Sequence, residues 1–206
     1  MKSFIALTAA ALLSSSASAA LVTVNIYGEV EFNQVSFGDF GNVNPGDAAL
    51  ISFMVDSDVF MDSGSFPTRG YEIIQSSFTL TLGSVTAGLQ NPYPAGMTPY
   101  FVLRNNDPAV DGFFLSSGGV DFPNGVSTDV PGGVDPFFGA DFSVSYSGDT
   151  LDSLDILDAL GTYDFTGLGS FYYAVTDGPF DAMGMIFDHM EIVPAPAALA
   201  VLVPFG

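Results

Sequence analysis

Cysteine and tryptophan are missing from all 206 residues, histidine occurs once, and lysine and arginine together occur three times. Each shortage closes a class of function. Without cysteine there is no disulfide framework, no thiolate metal site and no cysteine nucleophile. With His189 as the one histidine, a histidine-rich zinc site is excluded and a Ser-His-Asp triad would have to use that residue. A histidine inside an alternating apolar run such as Met183 to Ile192 is expected to pack or face water. The cations Lys2, Arg69 and Arg104 stand against 23 acids, a formal charge of −20, so nucleic acid is not a partner. Lack of tryptophan removes the broadest flat surface on which a sugar ring could stack. Phosphate and dinucleotide fingerprints are absent too: Gly167-Leu168-Gly169 has Tyr172 where the closing glycine is needed.

What is present begins with a leader. Lys2 supplies a positive charge, Phe4 to Leu13 an apolar stretch, and Ser14 to Ala20 small residues that include Ala17-Ser18-Ala19. That pattern is a secretory signal peptide over residues 1–19, far shorter than the roughly twenty apolar residues a membrane span needs. Signal peptidase is expected to cut after Ala19 or Ala20, with Ala17 and Ala19 as the small residues it reads. At the other end, Val193-Pro194-Ala195-Pro196 is followed by the apolar run Ala197 to Val203. These residues resemble the start of a PEP-CTERM sorting signal, in partial form. Ala195 stands at the position of the family's glutamate, and no arginine cluster follows. The tail, residues 193–206, is read as a truncated or decayed version of that signal. The resemblance implies an exosortase-like membrane protease as partner, with Pro194, Ala195 and Pro196 as the motif it reads. It also implies secretion or an envelope location in a Gram-negative-type bacterium, and it says nothing about the domain between.

Residues 20–192 form one expected domain, long enough to bury a core without staples. Hydrophobic residues make up 48% of the chain and phenylalanine occurs 20 times, so the acidity is not that of a disordered tail. Nearly all the acids are aspartate, which belongs in turns where its short side chain bonds nearby backbone. Period-two alternation recurs: Val22, Val24, Ile26, Val30 and Phe32 share one parity against Thr23, Asn25, Glu29 and Glu31. The same pattern fills Ala49 to Val55, Ile74 to Leu82 and Asp141 to Tyr146. It predicts a core containing Val22, Val24, Ile26, Phe53, Val55, Phe78, Leu80, Val144 and Phe171. Between Leu89 and Asp141, Tyr100 to Leu103 and Phe113 to Leu115 are the expected strands in an elaborated loop. Leu151, Leu154, Leu157 and Leu160 against Asp152, Asp155 and Asp158 predict one short helix, or a tighter turn or two. The expected fold is all-β, an antiparallel two-sheet sandwich of jelly-roll type with that single helix.

The chemistry on offer is carboxylate chemistry. No cofactor is expected unless it is calcium, which takes oxygen ligands. Two clusters carry the residues for it: Asp56, Asp58 and Asp62, and Asn105, Asp107 and Asp111, the second favoured because Gly112 permits a sharp bend. Neither has the EF-hand order, and the plain alternative is an Asx turn with solvated carboxylates. Glu29 and Glu31 share a strand face among polar neighbours, which points to water. The resulting expectation is a non-enzymatic exported domain of the envelope or extracellular matrix, with a structural or interaction role. A calcium-assisted carbohydrate-binding module acting on extracellular polysaccharide is the competing reading. A carboxylate glycosidase, which needs two carboxyls about 5 to 10 Å apart, is the remote one.

Overall fold

Apolar and polar alternation in the sequence becomes inside and outside in the first strand, where Val22, Val24 and Ile26 are fully buried and their odd-numbered neighbours are half-exposed. A computed structural model of the chain describes residues 19–36, 38–107, 110–119, 122–123, 125–129, 138–165, 168–177 and 182–196, with backbone alone at 138 and 168–177. The strands are β1 (Leu21–Asn33), β2 (Ala48–Asp62), β3 (Thr68–Ile73), β4 (Thr79–Leu82), β5 (Val85–Leu89) and β6 (Tyr100–Arg104). They continue with β7 (Val110–Ser116), β8 (Val126–Asp129), β9 (Phe138–Ser147), β10 (Gly161–Asp164), β11 (Leu168–Asp177) and β12 (Ala182–Pro194).

Pairing is antiparallel throughout, as expected for an all-β fold. The strands do not divide into two separately bonded sheets, however. Following the ladders in the order β1-β12-β11-β9-β7-β6-β3-β2 leads back to β1, because β2 also pairs with β1. Two long strands join what would otherwise be separate layers by changing partner along their length. Residues 49–52 of β2 bond to β4 while Phe60 to Asp62 bond to β3; Gly139 and Ala140 of β9 bond to β8 while Ser143 to Ser147 bond to β7. Closing the ring leaves few free edges, the feature that makes open sheets prone to pair with other chains.

The interior is one aromatic-rich core. Phe53, Phe101 and Phe113 form a row, with ring centroids 5.4 Å apart for the first pair and 5.7 Å for the second. Tyr163 and Tyr146 meet Phe113 edge-on. Of the core residues expected from sequence, all are buried except Phe171, whose side chain lies outside the described residues. Parity fails at Phe32, which is 41% exposed, because ladder irregularities in the β1–β12 pairing shift the register after Tyr27 and again after Val30. A second, outer cluster exists where β6 and β7 are buried on both faces. Phe122 folds over Tyr100, Val102 and Phe114, and its ring occupies the space a side chain on Gly70 would fill.

Of the two expectations for residues 151–160, the short helix is not formed and the tighter turns are. In its place stand consecutive i→i+3 turns, Asp155 C=O to Asp158 N–H and Ile156 C=O to Ala159 N–H. Local competition explains this: Ser153 Oγ accepts from Asp155 N–H, and Asp155 Oδ1 accepts from Leu157 N–H, so short side chains take the donors a helix would use. Leu151, Ile156 and Ala159 are buried against the core, while Leu157 and Leu160 face solvent. Tyr71, fully buried, holds the segment down: its hydroxyl donates to Leu154 O at 2.7 Å and accepts from Ile156 N–H at 2.9 Å.

Candidate functional site

Asn105 and Asp107 lie on the β6–β7 connection and Asp111 is the second residue of β7, and each is engaged by groups of the protein itself. Asp111 is fully buried, and its carboxylate accepts three backbone N–H groups: Asn106 at 2.7 Å, Thr150 at 2.5 Å and Leu151 at 2.7 Å. It is therefore a splice between two loops. Asp107 faces Arg104 Nε at 3.6 Å, and Asn105 Oδ1 accepts from Asn106 Nδ2 at 2.7 Å. The second acidic cluster is dispersed in the same way. Asp56 forms an Asx turn by accepting Asp58 N–H at 2.9 Å. Asp62 holds Arg69 in a two-point bond, which sets its carboxyl below the usual carboxylate range, and the Arg69 guanidinium lies 3.9 Å from the centre of the Phe60 ring. Among the described residues, no group of three or more His, Cys, Asp or Glu is placed to hold a metal ion.

His189 is a packed, partly exposed strand residue. Its ring stacks on Tyr27 across the β1–β12 ladder, with centroids 4.5 Å apart. Nδ1 is 2.9 Å from Asp188 and Nε2 is 4.0 Å from Glu191, which also accepts from the Tyr27 hydroxyl at 3.3 Å. A triad needs a hydroxyl at one nitrogen; here both nitrogens face carboxylates. Glu29 and Glu31 are exposed, as their polar neighbours imply.

Two surface recesses among the described residues are lined in part by carboxylates. One of about 410 Å³ opens where β2 bulges away from β3, with Asp56 and Glu72 on its walls beside Val59, Ile73 and Ile74. A second, of about 370 Å³, lies at the β1–β12 irregularity beside Gly28, Glu29 and Asp188. Neither has the tyrosine-lined cleft that a sugar site would use.

Of the residues expected to be processed, the described ones are Ala19, Ala20, Pro194, Ala195 and Pro196. Ala17 lies outside the described residues. Ala19 is exposed, and Ala20 leads straight into β1. The last strand runs past the expected boundary at residue 192, since Val193 pairs with Thr23 and Pro194 with Val22. Both ends of the folded chain thus emerge side by side at one pole.

Sequence reading missed Asp141. It lies at the point where β9 changes partner, beneath Gly125, and its Oδ1 is buried with no partner among the described residues. Burial pushes its carboxyl up to about 6, partly offset by the Phe142 N–H. A carboxyl with a raised folded-state pKa binds its proton more tightly when folded. Its penalty is therefore absent below about pH 4, grows as pH rises, and is complete above about pH 6. Asp141→Asn is expected to stabilise the domain by about 1–2 kcal/mol at pH 7.5, after allowance for partial exposure, and by about half as much at pH 5. Urea denaturation at the two pH values checks this; an equal gain at both would show that charge burial is not the cause.

No family model, curated protein or solved structure matches the chain.

Proposed function

We propose that the chain is an exported protein of the envelope or extracellular matrix of a Gram-negative-type bacterium, in which a closed β domain serves a structural or interaction role. Signal peptidase removes the leader, and an exosortase-like protease handles the tail. The observation that supports this reading is that the first and last described residues meet at one pole, where Val22 pairs with Pro194 and the Leu21 carbonyl accepts the Ala195 N–H. No helix among the described residues is long and apolar enough to cross a membrane. Two carboxylates of the acidic clusters have structural work: Asp111 joins loops and Asp62 holds Arg69.

Replacing both Pro194 and Pro196 with alanine is expected to leave the protein in the membrane fraction or to change its processed mass. Cell fractionation with intact-mass measurement reads this. Unchanged release at unchanged mass would reject the sorting role of the tail.

A further inference from the structure

Two consecutive residues at the start of β1 hold three segments together. Ala20 is bound at both its backbone groups by Ser57: its N–H donates to Ser57 Oγ at 3.0 Å, and its carbonyl accepts Ser57 N–H at 3.0 Å. Ser57 is buried and Ala20 half-buried, so these bonds are partly shielded from water. One residue on, the Leu21 carbonyl accepts the N–H of Ala195 at 2.8 Å. Within Pro194-Ala195-Pro196 that is the sole backbone donor, since proline has none. The start of the folded chain and the knuckle of its tail are therefore one hydrogen-bonded unit.

We propose that the leader is cut between Ala19 and Ala20, and that the new amino terminus completes a clasp, Ser57–Ala20–Leu21–Ala195, which fixes where the tail leaves the domain. Hydrolysis adds water across the Ala19–Ala20 amide, leaving a carboxylate on Ala19 of the released leader and an ammonium on Ala20. The ammonium still donates to Ser57 Oγ, now as a charge-assisted bond. Cutting one residue later would discard both bonds to Ser57 and leave its buried N–H and hydroxyl without them, which carries the full cost of an unmade bond. Order follows from the same geometry. A peptidase must bind the chain around the cut in extended form, and Ala20 cannot be so bound while both its backbone groups are engaged by Ser57. Cleavage comes first and docking of β1 second.

This inference rests on the export reading, and the experiment separates the two. The amino terminus of protein recovered from cells is expected to be Ala20. A Leu21 start leaves export standing and overturns the clasp, whereas intact Met1-Lys2 overturns export and the clasp with it. Chains running from Ala20 or from Leu21 to Gly206, and Ser57→Ala in the former, are then compared by amide hydrogen exchange. Exchange at Ala195 is expected to be at least tenfold faster in the Leu21-start chain and in Ser57→Ala. Equal exchange in either variant would overturn the clasp.

Discussion

Asp111→Ala is expected to lower stability by about 4 kcal/mol, with urea denaturation of the mature chain as the measurement. The carboxylate accepts three backbone N–H groups, from Asn106, Thr150 and Leu151, at a fully buried position. Alanine leaves all three donors unmet, each worth about 1–3 kcal/mol, with some relief from relaxation. Asp111→Asn should cost about half as much. Asparagine can turn its oxygen toward Thr150 and Leu151, where one carboxylate oxygen now serves both, but its NH₂ then faces the Asn106 N–H, donor against donor. The loss should be the same with and without millimolar calcium, because the lone pairs are engaged by the protein itself. A loss below about 1 kcal/mol, or one that appears in calcium alone, would reject the splice role.

Gly112→Ala, one residue on, is expected to cost about 3 kcal/mol or more. A methyl group there would collide with Val144 O and lie 3.2 Å from Ser145 Cα. Both contacts are backbone, and Gly112 pairs directly with Ser145 in the β7–β9 ladder, so relief requires prising the strands apart. Gly161→Ala is the control. Nothing lies within 4 Å of a methyl group at that position, and the change should fall within about 0.5 kcal/mol of neutral or stabilise slightly by restricting the unfolded chain. Equal effects at the two glycines would show that the contact at Gly112 is not the cause. The Asp111 and Gly112 effects should not be summed in a double variant, since neighbours share one loop junction.

Alternation was the legible part of this fold. Val22 to Ile26 and Phe53 to Val55 announce their inward faces through a simple two-residue period, and those faces are buried. The role of Asp111 was within reach as well. Phe113 and Leu115 point inward, so the same parity carried back two residues puts Asp111 inside, where a carboxylate must be bonded rather than solvated. Asp141 was not legible in that way. Its parity is opposite to that of Phe142 and so outward; what covers it is a segment near Gly125, remote in sequence. Strand pairing was hidden for the same reason. The changes of partner along β2 and β9 depend on which distant strands arrive beside them, and β3, β5, β8 and β10 mix Gly, Thr or charged residues into their runs, which breaks the alternation. The leucine spacing at Leu151 to Leu160 misled because it reports which residues are apolar, while Ser153 and Asp155 decide how the backbone bonds.

The end of β12 gives the molecule a mechanical character. A protein held by its tail takes load at Pro194, and that load runs along the axis of β12. This strand is bonded to β1 from Val22–Pro194 down to Asn33–Met183, with ladder bonds lying across the direction of pull. A pull in that direction strains the whole row at once, as in a lap joint, instead of peeling it bond by bond. β1 is bonded in turn to β2 from Leu21 to Glu29, so the force passes into the ring before any single contact must carry it.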